Sequence, residues 1–194
     1  MKLIGFITGV FVVLSSFTGV APIENYKIDV NASTVKWTGY HLAKSYEHFG
    51  NVKVKGGNLD IEDGELVSGS FVMDMTSITN TDLTKAGDNT KLVNDLKSKR
   101  FFNVEQFPEA KLEFSEAHKQ DGGYHINGTI TIRGISKDIE FNVKKVKEDS
   151  ESVYFSATLE VDRIEHEVMY GWSIENAMLS NKFDLEVLVV IRKV

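Results

Sequence analysis

Five histidines, His41, His48, His118, His125 and His166, have the widest chemical reach of any side chains in this sequence. A metal site built on imidazoles needs paired spacing, such as two histidines four apart on a helix, or cysteines to complete the ligand set. The chain shows neither pattern and has no cysteine, so no metal or other cofactor is expected. A nucleophilic serine would stand in a Gly-x-Ser-x-Gly turn, and none exists. Gly69-Ser70 falls inside a strand pattern, where glycine signals close packing. No glycine-rich loop is present to cradle a phosphate. The one dense acid/base group is Asp162-Arg163 with Glu165-His166-Glu167, which could hold or move a proton. Its place at the end of a strand pattern reads more simply as an ion pair followed by a solvated loop. No enzyme is expected.

Apolar side chains mark a different kind of site. Between Lys91 and Glu116 a short helical pattern (Leu92, Val93, Leu96) ends in the cations Lys97, Lys99 and Arg100, where a helix dipole favours positive charge. Phe101-Phe102 follow, then Phe107-Pro108 and an alternating strand carrying Leu112 and Phe114. Four phenylalanines at one helix-to-strand crossover either plug a core or line an apolar cavity. A helix of about two to three turns is expected between residues 88 and 100, preceded by a polar loop over 77–90.

Elsewhere the chain alternates with a period of two. Val35 and Trp37, Val52 and Val54, and then Val67, Phe71, Met73 and Met75 each share a parity. So do Tyr124, Ile126, Ile130 and Ile132; Ile139, Phe141 and Val143; Val153 to Val161; and Phe183 to Ile191. Asp63-Gly64, Gln120 to Gly123 and Arg133-Gly134 are turn signals, and Gly56-Gly57 suggests a bulge. The reading is all-β: about eight antiparallel strands with one apolar face, closed into a barrel or folded into a sandwich, with one short helix.

The 194 residues hold 22 basic and 28 acidic side chains, a net charge of −6. Lys2, the apolar run through Phe17 and the small residues Gly19 and Ala21 read as a secretory signal peptide, which divides the chain into 1–21 and a single barrel domain over 22–194. A periplasmic or secreted location is expected. The acidic balance argues against a nucleic-acid partner; a homodimer is left open.

Several segments, in order, carry a resemblance. YKIDVNASTVKWTG, His48-Phe49-Gly50, GELVSGSFVMDMTSI, LKSKRFFNVEQFPEAKLEF and YHINGTITIRGISKDIEF are followed, after ATLEVDR, by Tyr170-Gly171. Together they resemble the YceI-like family of exported polyisoprenoid-binding proteins with a lipocalin-like barrel. The resemblance implies an extended antiparallel lipocalin-like barrel of about eight strands enclosing a long apolar tunnel for an isoprenoid or other long-chain lipid, and no catalytic residues. Two departures stand out: Lys99-Arg100 where acidic residues are expected before the paired phenylalanines, and Trp172-Ser173-Ile174 after Tyr170-Gly171. Trp37, Phe71, Met73, Met75, Phe101, Phe102, Phe107 and Phe114 are expected to line or close the tunnel. His48 and Tyr170, at family-matching positions near strand ends, are expected at a polar mouth. The alternatives are a barrel that binds a protein partner or, less favoured, an exported hydrolase. N-terminal sequencing of the exported protein is expected to begin between about residues 20 and 24; finding Met1 on membrane-bound protein would show an uncleaved anchor.

Overall fold

The computed structural model describes residues 24–169 and 174–193. The expected signal peptide therefore lies outside the described residues. The strands are β1 (Glu24–Ile28), β2 (Thr34–His41), β3 (Glu47–Glu62), β4 (Glu65–Asp74), β5 (Glu109–Gln120), β6 (Gly123–Ile132), β7 (Ile135–Glu148), β8 (Ser152–Asp162) and β9 (Leu179–Lys193). Helix α1 (Ala86–Lys97) lies between β4 and β5, and the short α2 (Ile174–Ala177) precedes β9.

Every pairing among these strands is antiparallel, and the sheet closes on itself. β3 makes the closure. Its first half pairs with β2 and its second half with β1, while its other edge pairs with β4 from Lys53 to Glu62. β1 and β2 share one position between β3 and β9, so nine strands fill eight places around the barrel. Two-residue turns at Asp63-Gly64 (φ 51° and 78°) and Arg133-Gly134 (φ 52° and 72°) have both residues left-handed, the geometry that matches the twist of the flanking strands.

The direction of the strands sorts the connections. One end of the barrel carries the short links 63–64, 121–122 and 149–151, while 29–33 lies within the wall, where β1 passes into β2 along the same edge of β3. The other carries the 42–46 turn, the long 75–108 crossover with α1, the 133–134 turn and the 163–178 connection. This second end is the loop end.

The inward faces follow the expected parities with two physical exceptions. Val67 does not share the face of Phe71. Asp60 pairs with Ser68 but Ile61 with Leu66, so Val67 is the extra residue of a bulge and Leu66 turns inward, 3% exposed. In β5 the pairing jumps from Glu113–Thr129 to Glu116–Asn127, so Ala117 takes the inward face after Phe114. The Gly56-Gly57 bulge is present between Val54 and Gly56. α1 starts at Ala86, within the stretch read as loop, because Asn89 already binds Asn80 and Leu83 and ties the helix start to that segment.

Beyond the end of β4 the chain keeps following β3. Thr79 N–H donates to Asn51 O and Thr81 N–H to Phe49 O, both at 2.9 Å. Trp37 Nε1 donates to Thr79 O at 2.9 Å. The crossing is possible because residue 50 is glycine: a Cβ there would lie 1.8 Å from Thr79 O. Gly50→Ala is therefore expected to destabilise the fold by about 2–4 kcal/mol. Gly87→Ala, in α1 with open space around it, is expected to stabilise by about 0.5–1 kcal/mol. Chemical denaturation of the two variants checks the pair; equal effects would contradict the crossing.

Candidate functional site

The barrel interior gathers most of the residues expected at the site. Trp37, Phe71, Met73, Met75, Phe101 and Phe102 are buried in one continuous apolar cluster, and Phe114 packs against it half-buried. The Phe101 and Phe102 rings meet edge to face at 5.1 Å, and Phe102 meets Phe183 in the same way at 6.3 Å. The crossover phenylalanines thus reach the last strand across the loop end. Phe107 is set apart from the interior. It lies over the β6–β7 turn, where a Cβ on Gly134 would be 3.0 Å from its ring. Tyr170 lies outside the described residues.

Register shows where the interior is less tightly filled. Val187 pairs with the buried Val35 on one side and with Ala157 on the other, so all three face inward; Val189 does so opposite Phe155. Yet Leu112, Phe114, Ala157, Phe183, Val187 and Val189 keep part of their surface accessible. Side chains that are inward by register but still accessible mark space along β5, β8 and β9. Parity marks the β9 residues as inward, but no sequence signal marks them as accessible.

His48 is placed in a polar network. Its Nδ1 is 2.7 Å from Asp82 Oδ2; Asp82 Oδ1 accepts the Phe49 N–H at 2.9 Å and a short bond from Asn80 Nδ2. Burial opposes the charge on Asp82. The hydrogen bonds from His48, Phe49 and Asn80 outweigh it and hold the carboxyl below its ordinary range. The buried Asn80 also receives Asn89 Nδ2 and Leu83 N–H. His48-Phe49-Gly50 therefore docks the 79–82 segment: the imidazole and one amide hold Asp82, and the glycine gives Thr79 room. Asp82 and Asn80 escaped the sequence reading because they sit in a polar loop without periodicity.

The acid/base group at the end of β8 is also taken up by structure. Asp162 Oδ1 accepts the Ile164 N–H, and Glu165 and Glu167 are exposed. Arg163 is buried at 4% exposure and donates to Ser180 O, Val168 O, Leu179 O and both oxygens of Asn176. One expectation fails here. His166 is not in a solvated loop; it is 1% exposed, with Nδ1 donating to Ile135 O at 3.0 Å. Both side chains turn inward, where main-chain carbonyls at the ends of β7 and β9 and of Val168 and Asn176 need donors.

Around the 42–46 turn His41 stacks on Tyr46 at 3.6 Å, and burial together with nearby His48 pushes the His41 imidazole down. Tyr40 Oη donates to Asp184 Oδ2 at 2.7 Å. That bond, with burial and the Asp184 charge, pushes the phenol up to about 12. Beside this turn His41, Lys44, Asp162, Asn176, Leu179 and Lys182 help to line an open cleft of about 450 Å³. In the crossover, Asn103 gives its Nδ2 to Gln106, while its buried Oδ1 has no partner among the described residues. Among the described residues no three histidine, aspartate or glutamate side chains are placed to hold a metal ion.

Fold and site together define a closed antiparallel barrel whose distinctive surface is its apolar interior, with the polar groups of its loop end committed to holding loops. The chain belongs to the YceI-like family: the model for the YceI-like domain matches residues 26–191. The chain is similar to BcnA of Burkholderia cenocepacia (17% identity, TM-score 0.65, 84% of this chain and 98% of that one). It is also similar to a polyisoprenoid binding domain from Saccharophagus degradans implicated in plant cell wall breakdown (12% identity, TM-score 0.60, 87% and 98%). At these identities the likeness is one of fold. Curated relatives include a UPF0312 protein of Photorhabdus laumondii, 36% identical over 53 residues, which are 27% of this chain and 28% of that protein. The chain thus spans about a quarter of the length of the curated relatives it matches.

Burial holds the pKa of His166 below that of a free imidazole, although its bond to Ile135 O works the other way. Unfolding below about pH 6.5 then takes up a proton that the folded state refuses. The stability gained from a neutral His166 is complete above that pH and is lost as pH falls toward the lowered folded value. Thermal unfolding of wild type is expected to weaken from about pH 7 to 5 more steeply than that of His166→Gln, which can still donate to Ile135 O. Coincident slopes would show that folded His166 takes up the proton freely.

Proposed function

We propose that this protein binds an amphiphilic isoprenoid or similar long-chain lipid inside its barrel and acts as a non-catalytic carrier or store in the cell envelope. The observation that carries this reading is the set of inward-facing but accessible side chains on β5, β8 and β9, which continues into the buried aromatic and methionine wall. Flexible thioethers such as Met73 and Met75 suit a chain-like ligand because they can re-pack around it. A ligand burying about 350 Å² of apolar surface would gain roughly 9 kcal/mol before the cost of ordering, which takes back several. Membership of the YceI-like family and the fold shared with a polyisoprenoid binding domain support the ligand class. The structural employment of Asp162, Arg163 and His166 supports a role without catalysis. The signal-peptide pattern supports export, with residues 22–194 as the working domain.

Because Phe101, Phe102 and Phe183 touch across the loop end, a lipid entering there must part them. Phe71→Trp tests whether the interior is space or solid core. In a barrel with room, the added ring is tolerated, and affinity for a long prenol, read by displacement of a fluorescent lipid, falls. In a solid core the same change would lower stability by about 1–3 kcal/mol. Lost stability with no prenol binding by the wild type would sink the carrier reading.

A further inference from the structure

Exposed apolar side chains are not scattered evenly over this barrel. Leu42 (56% exposed), Tyr46 (51%) and Met178 (50%) all stand at the loop end; Val30 and Val146 lie singly toward the other end. The three are held together by backbone. Leu42 N–H donates to Met178 O at 2.8 Å, and His41 N–H to Tyr46 O at 2.9 Å. Between Leu42 and Tyr46 the chain takes two successive non-glycine left-handed residues, Ala43 (φ 56°) and Lys44 (φ 51°). Such backbone is strained, and here it keeps a tight turn with Leu42 and Tyr46 turned outward.

Charge at this end adds to the pattern. Lys44 rests its Nζ 4.5 Å above the Tyr40 ring, and Lys97, Lys99 and Arg100 crowd the end of α1. The contact of Phe102 with Phe183, which pairs with Gly39, puts that basic helix end near the 41–46 turn. None of these four cations is in an ion pair among the described residues. Exposed Glu47, Glu105, Glu165 and Glu167 at the same end temper the attraction, so the apolar side chains must supply most of the affinity.

We infer that the loop end docks on a lipid bilayer, with Leu42, Tyr46 and Met178 entering the headgroup region and Lys44 and the α1 cations meeting its phosphates. Leucine and methionine beside a tyrosine ring and lysine stems match the interfacial layer, which is apolar at depth and wet above. The inference rests on the lipid-carrier reading: such a ligand has almost no free concentration in water, so the end with the long connections must reach the membrane that holds it.

The exported protein, its amino terminus determined, can be mixed with vesicles of phosphatidylcholine alone and with added phosphatidylglycerol, then separated by flotation. Wild type is expected to float with both, more with the anionic vesicles. Leu42→Glu/Met178→Glu is expected to lower partition about tenfold or more. Val30→Glu/Val146→Glu, away from the loop end, is expected to leave it unchanged. Prenol titration of the same proteins without vesicles reads the carrier function separately. Wild type that stays off vesicles, or a Leu42/Met178 variant that floats as well as wild type, overturns the docking inference even if prenol binds. Loss of a dimer in place of vesicle binding would overturn it too, by making this surface a contact between copies.

Discussion

Closure of the sheet through β3 is the constraint on which the rest of this structure depends. A strand of 16 residues is long enough to accept β2 and β1 in succession on one edge and β4 on the other. With no free edge, each strand is left with only two environments, inside and outside, and the period-two pattern assigns side chains between them. The Gly56-Gly57 bulge lets β3 bend where its partners change from β2 to β1. Gly69 serves the same closure from β4, since a Cβ there would press on Leu59 and Phe114.

A barrel closed in this way still has two ends, and the chain treats them differently. Tight turns finish one. At the other, the 75–108 crossover and the residues 163–169 and 174–178 add many backbone polar groups. Buried polar groups need partners, and two networks supply them. Asn80, Asp82, His48 and Asn89 fix the crossover against β3; Arg163 and His166 fix the connection against β7 and β9. His48, Asp162, Arg163 and His166, which looked chemically suggestive, are thereby used in holding the loop end together. What remains distinctive is the inner surface, where aromatic rings and thioethers adjoin less filled space.

Much of the fold was legible in the sequence because hydrophobic alternation reports a buried sheet face directly. Trp37, Ile126, Leu159 and Leu185 all face inward as parity requires. Val67 did not, because a bulge changes parity without any local signal in the side chains. The crossover phenylalanines were legible as an apolar load, but Phe107 could not be told from Phe102. Both sit in irregular backbone, where facing depends on tertiary contacts. The inward turn of Arg163 and His166 was hidden for the same reason: their partners include main-chain carbonyls on β7 and β9 that only the tertiary fold brings near. Family resemblance marked His48-Phe49-Gly50 as a motif; only the geometry shows that it anchors Asp82 and makes room for Thr79.

The central claim is that the interior of this barrel is a lipid site. Mass spectrometry of organic extracts from the protein, purified from its native host without detergent, tests it most directly. The account predicts a prenyl or other long-chain amphiphile in constant proportion to protein, lost when Phe71 is replaced by Trp. Extracts without such a lipid, from protein that also fails to take up added prenol, would contradict it.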